Sequence, residues 1–297
     1  MSWLLAALPA ALCGEDLYRY VFCRHWGVLM HRFLDKEGHE SWYYAQKEAY
    51  KQNLRAIPCE KFAQTSVRGG TLRGFYYRSG EGYSRCIAFI VHGYRAEHTE
   101  AAGPVLDYYL SRGFDVFCCD HYAHGESDGE HIGYGAWESE DCLHWLDFLR
   151  WRFKDAKILL HGFSMGGGIV LKICDRVPES VKLIVSDSGF TGPDEILKNN
   201  LGVLYAPMAL AYRLITKYPL SSANDRQSVQ NARVPLLFVH GEDDKTVPFS
   251  MGRELYELCR GEKDCLFLPG VRHVETAYLH KKEYSALLDG AIERHMK

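Results

Sequence analysis

Long apolar runs are scarce in this chain. The opening stretch from Trp3 to Leu12 is ten residues long and interrupted by Pro9, about half of the roughly 20 needed to cross a bilayer. It has no positively charged segment ahead of it, so it reads as a docked helix rather than a secretory signal, and a cytoplasmic location is expected. Charge of one sign is also missing. The formal net charge is −3, with both signs mixed along the chain, which leaves no basic field for nucleic acid. There is no C-x-x-C pair and no H-E-x-x-H, so the sequence supports no metal site. Cysteine is plentiful, ten in 297 residues. Cys86, Cys118 and Cys119 sit in strand-like runs, and Cys142, Cys174 and Cys259 in helix-like ones. They read as small buried hydrophobes in a reducing compartment rather than as a disulfide framework. Side chains of neighbours on a strand point to opposite faces, so Cys118 and Cys119 are not expected to share a ligand.

What is present is an alternation. Residues 1–57 read as a helical N-terminal extension, with Leu17, Tyr20, Val21, Trp26, Leu29, Met30 and Phe33 clustering by steps of three and four, and Pro58 closes it. Lys61 to Arg68 and Thr71 to Arg78, around Gly69-Gly70, predict a hairpin, and Cys86 to Val91 a buried strand. Helices then alternate with strands over residues 58–297: Glu97 to Arg112, Trp137 to Phe153, Gly166 to Arg176, Ser250 to Cys259 and Leu279 to His295 between Phe114 to Cys119, Lys157 to Leu160, Val181 to Ser186, Val234 to Val239 and Cys265 to Leu268. Such alternation implies a mostly parallel eight-stranded sheet with helices on both faces. It breaks between about residues 190 and 230, where an apolar helical insertion predicts a small lid. No internal repeat or low-complexity stretch is visible.

Gly162-Phe163-Ser164-Met165-Gly166 follows the apolar run Ile158 to Leu160 and opens a helix-like stretch. That is the strand, sharp turn and helix that a serine nucleophile requires, with glycines where side chains would collide. Ligands in parallel α/β sheets lie beyond the carboxyl ends of the strands. The segments there are His92-Gly93-Tyr94, Asp120 to Ser127, Ser164, His240 to Pro248 and Gly270 to His273. Histidine is common in the chain, but among those after residue 244 only His273 occupies a loop after a strand. For the acid, Asp244, Asp243 and Asp187 all qualify by position. Asp120, His124 and Ser127 read as a loop closed by its own polar side chains rather than as a second triad. His92 and His240 read as structural.

The H-G loop, D-x-x-x-H-G-x-S (120–127), G-x-S-x-G (162–166) and H-G-x-x-D-x-x-V-P (240–248) together resemble the α/β-hydrolase superfamily. Within it, residues 60–297 are similar to bacterial serine esterases and lysophospholipase-like enzymes. The resemblance implies the α/β-hydrolase fold and a nucleophile, acid and base in the order Ser164, Asp244 and His273, the register of Val247 and Pro248 favouring Asp244. It also implies an oxyanion hole from the backbone N–H groups of Tyr94 and Met165. A small-molecule ester is the expected substrate, with no cofactor. Peptide, amide and thioester substrates share the same chemistry, and a catalytically silent binding protein shares the fold. Tyr94, Tyr122, Tyr134 and Trp137 are candidates for the substrate pocket, roofed by Leu204 and Met208. The aromatic N-terminal helix is expected to pack on the hydrolase body rather than on a membrane surface, with a homodimer contact left open.

Overall fold

The computed structural model describes residues 14–25 and 41–297. Trp3 to Leu12, Trp26, Leu29, Met30 and Phe33, on which part of the N-terminal reading rests, lie outside the described residues.

Eight strands form one sheet: β1 (Glu60–Thr65), β2 (Thr71–Tyr77), β3 (Cys86–Val91), β4 (Asp115–Asp120), β5 (Lys157–Phe163), β6 (Val181–Asp187), β7 (Leu236–Gly241) and β8 (Lys263–Leu268). Their order is β1-β2-β4-β3-β5-β6-β7-β8. The first two strands run antiparallel to their neighbours, and β4 to β8 and β3 are parallel throughout. The strands read as near-continuous apolar runs because both faces are covered. Phe89, Phe117, Ile158 and Leu160 face one helical layer, whereas Ala88, Ile90, Val116 and Leu159 face the other. Cys119 and Cys118 likewise fall on opposite faces.

Helices account for the rest. Residues 14–22 form α1, followed by α2 (Ser41–Ala56), α3 (His98–Ala102), α4 (Leu106–Ser111), α5 (Glu138–Arg152), α6 (Met165–Lys172), α7 (Pro193–Leu201), α8 (Tyr205–Thr216), α9 (Arg226–Gln230), α10 (Phe249–Leu258), α11 (Thr276–Leu279) and α12 (Lys281–His295). α5, α6 and α10 bury Trp145, Leu149, Val170 and Leu255 on one face of the sheet. α2, α3, α4 and α12 bury Leu54, Ala102, Tyr109 and Leu288 on the other.

Several expected elements are shorter than the sequence pattern implied, three of them for visible reasons. The helix predicted over Glu97 to Arg112 is two helices, because Pro104 has no N–H to continue α3 and its ring clashes with the preceding turn. The last helix breaks at His280, so that Tyr278 packs on Tyr43 and Tyr50 of α2 while Tyr284 turns toward His161 under the sheet. In the hairpin, β1 stops at Thr65 rather than Arg68. There the Asp141 carboxylate captures the Ser66 hydroxyl and the Val67 N–H at 2.8 Å each, pulling the chain out of the ladder.

Between β6 and β7 the chain leaves the sheet to form α7, α8 and α9. Met208 and Tyr212 of α8 join Tyr18, Val21 and Phe22 of α1, with Trp137, in a third apolar cluster separate from the two that cover the sheet. The N-terminal helix and the insertion therefore bury each other's apolar faces.

Candidate active site

Ser164 sits between β5 and α6 with φ 54° and ψ −114°, a conformation that a side-chain-bearing residue adopts only when its surroundings force it. The forcing is visible on either side. A Cβ on Gly162 would lie 2.1 Å from the Gly166 carbonyl oxygen, and one on Gly166 would lie 2.1 Å from that of Val91. Only glycine lets the turn close this tightly, and the turn holds the serine hydroxyl clear of the strand. The backbone N–H of Ser164 donates to the Asp187 carbonyl at 2.8 Å, tying the turn to β6.

His273 approaches from the loop after β8. Its Nε2 is 2.8 Å from the Ser164 Oγ, and its Nδ1 is 2.7 Å from Asp244 Oδ2. A carboxylate only accepts, so Nδ1 carries the proton and the Nε2 lone pair faces the serine hydroxyl. Asp244 is itself saturated. Its Oδ1 accepts the N–H groups of Thr246 at 2.9 Å and Val247 at 2.7 Å, and His240 Nε2 stands 3.2 Å from Oδ2. Burial alone would push this carboxyl up, but His273 and His240 beside it outweigh burial and hold it well below the usual carboxylate range. It is therefore charged at neutral pH.

Asp187, the rival acid, lies close by but faces another way. Its Oδ1 accepts from the Ser188 hydroxyl at 2.9 Å and its Oδ2 from the Tyr284 hydroxyl at 3.0 Å. Burial pushes its carboxyl up to about 6 against those two bonds. Ser188 Oγ in turn accepts the Val274 N–H at 3.2 Å, so Asp187 supports the backbone beside His273 and does not touch its ring. Asp243 is not part of this network. Its N–H donates to the Val271 carbonyl.

The loop after β3 completes the neighbourhood. A Cβ on Gly93 would stand 3.3 Å from that of Ser164, which places the Gly93 backbone against the Ser164 side chain. Met165, on the other side, opens α6, where the first N–H groups have no carbonyl partner in the helix. His92 holds the loop. Its Nδ1–H donates to the Gly93 carbonyl at 2.8 Å, and its Nε2 accepts the His121 N–H at 3.0 Å. The Asp120 to Ser127 segment closes on itself: Ser127 Oγ donates to the Asp120 carbonyl at 2.6 Å, and Asp120 Oδ2 accepts the Glu126 N–H at 2.7 Å. It also ties in its neighbours, Asp120 Oδ1 accepting the His98 N–H at 2.8 Å and His124 Nε2 that of Arg95 at 3.1 Å.

Comparisons with known proteins point the same way. Residues 83–225 match the family model described as serine aminopeptidase, S33. The lysophosphatidylserine lipase ABHD12 of Macaca fascicularis is 29% identical over 235 residues, 71% of this chain and 55% of that protein. The Escherichia coli (strain K12) protein YfhR is 26% identical over 238 residues, 78% of this chain and 79% of its own length. The chain thus spans about half the length of the ABHD12 relatives it matches. The solved esterase Pf2001 of Pyrococcus furiosus superposes with a TM-score of 0.68 at 20% identity, over 83% of this chain and 96% of that one. The chain has the α/β-hydrolase fold, and its sequence is similar to lipase and esterase proteins of that fold.

Within this fold the expected pocket residues fare unevenly. Tyr94 is turned toward α1, its hydroxyl donating to the Val21 carbonyl at 2.6 Å, and its ring lies beside Tyr134. Tyr122 is half-buried between the sheet core and the α1–α8 cluster. Met208 and Trp137 are wholly buried inside that cluster, where Trp137 stacks parallel to Tyr212. Leu204, in the short 3-10 turn just before α8, is 47% exposed, whereas Met208 and Tyr212 of α8 point inward. Neither Arg95 nor Ser188 stood out in the sequence, although both hold backbone beside the reacting groups. They belong to no short motif whose spacing could have exposed them, and the same holds for the second contact of His240 with Asp244.

Proposed function

We propose that this α/β-hydrolase is a cofactor-independent serine hydrolase of carboxylic esters that works through an acyl-enzyme on Ser164. The observation that carries this reading is the continuous path from Ser164 Oγ to His273 Nε2 at 2.8 Å and from His273 Nδ1 to Asp244 at 2.7 Å. A serine hydroxyl is too weakly acidic to attack an ester unaided at neutral pH. His273 takes its proton as Oγ bonds to the carbonyl carbon, and returns that proton to the leaving alcohol as the ester bond breaks. Water, deprotonated by the same imidazole, then clears the acyl group. Asp244 keeps the ring in the productive tautomer and stabilises the imidazolium. The N–H groups of Met165 and Tyr94 are assigned to the oxyanion of the tetrahedral intermediate.

For the substrate we propose a monoacyl ester with an apolar acyl chain, of the kind named for the lysophosphatidylserine lipases. The helical insertion would serve as the lid, and the cell compartment would be the cytoplasm. The described cysteines, all unpaired, support that compartment. An aminopeptidase-like reading follows from the name of the matching family model. A panel of p-nitrophenyl esters of rising chain length, lysophospholipids and aminoacyl anilides separates the two. Labelling by a fluorophosphonate probe tests the nucleophile: wild-type protein should be modified and Ser164→Ala should not. Equal labelling of both would remove Ser164 from the proposal.

A further inference from the structure

The N-terminal helix α1 ends against the loop that follows β3, and the contact is dense. The Arg95 guanidinium reaches the last carbonyls of α1 and the residues after it: Nη2 donates to Tyr20 at 2.8 Å and to Cys23 at 3.0 Å, and Nη1 donates to Arg24 at 3.3 Å. Its Nε donates to the Tyr94 hydroxyl at 2.7 Å, and that hydroxyl donates onward to the Val21 carbonyl at 2.6 Å. A guanidinium at a helix C-terminus meets the carbonyls that have no partner within the helix and the negative end of its dipole. Arg24 returns the contact by donating to the Ser127 carbonyl at 2.6 Å and to that of Gly125. The backbone is constrained as well. Arg95 has φ 54°, and its N–H donates to His124 Nε2 at 3.1 Å.

These bonds converge on Tyr94, the residue assigned above as an oxyanion donor, directly after the Gly93 backbone that lies against Ser164. The Gly93-Tyr94-Arg95 segment cannot rotate without breaking either the strained Arg95 conformation or its bonds to α1. We infer that α1 is part of the catalytic scaffold, with Arg95 a positioning residue that fixes the Tyr94 backbone N–H by clamping the Tyr94-Arg95 turn to the carbonyl end of α1. The N-terminal extension then sets the rate of the chemical step, not only the stability of the fold.

The inference rests on the Ser164 reading, and the two can fail separately. The test uses the full chain and three variants: Arg95→Leu, which removes the clamp, Arg95→Lys, which keeps the cation but loses the planar fork, and Tyr94→Phe, which removes the bridging hydroxyl and keeps the N–H. Active sites are titrated to completion with the fluorophosphonate probe, so that kcat is expressed per competent site and a loss of folded protein does not count. A misplaced oxyanion donor weakens transition-state binding but not ground-state binding. Arg95→Leu should therefore lower kcat per titrated site by about 10- to 100-fold with KM nearly constant, Arg95→Lys and Tyr94→Phe by less. Affinity for a trifluoromethyl ketone, whose adduct carries the oxyanion, should fall in parallel. If Arg95→Leu does not fold, Tyr94→Phe carries the same comparison. An unchanged kcat per site overturns the inference, as does a raised KM at constant kcat, which would make α1 a wall of the substrate pocket. Wild-type protein that neither labels nor hydrolyses any of the esters ends the Ser164 reading and this inference together.

Discussion

Positive φ outside glycine recurs beside the candidate site. Ser164, Ser188 and Val274 have φ of 54°, 55° and 58°, and each either supplies or adjoins a group beside the reacting centre. For a β-branched residue such as Val274 this is a costly conformation. It persists because Ser188 accepts its N–H, and it aims the preceding His273 at Ser164. His273→Ala and Asp244→Asn should each cut kcat steeply, by up to about 10⁴-fold on the precedent of related triads, with little change in circular dichroism. Asp187→Asn should cost far less, since its carboxylate reaches the His273 loop only through Ser188. Steady-state kinetics on one ester decides this, and a larger loss at Asp187 would reassign the acid. Both aspartates follow strands, so position along the chain could not separate them. The register of Val247 and Pro248 favoured Asp244, whose Oδ1 accepts the N–H of Val247 itself.

At the scale of elements, strands were the most legible part of the chain, because a strand buried on both faces is an apolar run with clear ends. Helices were less so. The break after α3 could have been read from Pro104, whereas nothing local marks the turn at His280, which is dictated by two tyrosines seeking different partners. Where α1 docks was legible only in outline: apolar residues at helical spacing demand a partner but do not name one. The structure supplies α8. Because Met208 is wholly buried between these two helices, Met208→Ala should cost about 2–5 kcal/mol if they unfold with the body. Calorimetry checks this. An unchanged main transition, with a separate early one, would make the α1–α8 cap an independently melting unit.

For the whole molecule, buried imidazoles and buried carboxyls pull the response to acid in opposite directions. His92, His121, His124 and His161 are fully enclosed, and burial lowers all four, His124 and His161 to about 3. The folded state refuses protons that the unfolded chain accepts below about 6.5, so this contribution is present above that value and is lost as pH falls toward 3. Glu138 and Asp187 act in the opposite sense. Burial raises them to about 7 and 6, so the stability they contribute is present below about 4 and lost as pH rises through those values. Burial raises Asp141 and Asp225 in the same sense, so the histidine contribution is read by difference: the melting temperature of His161→Gln should fall less between pH 7 and pH 4 than that of the wild type. An equal fall would mean that His161 is not enclosed as described.

The chain of amino acids by itself determined the period of each element, the glycine-framed turn that exposes Ser164 and the order in which Ser164, Asp244 and His273 are met, because these are local properties of spacing, turn chemistry and strand ends. Only the tertiary structure decided which carboxylate meets His273, that Tyr94 and Arg95 look back to the N-terminal helix, and that Leu204 lies outside. Those outcomes depend on distances between residues that are tens to more than a hundred positions apart. Such distances are set by how the sheet twists and which apolar faces find each other, and no window of sequence contains them.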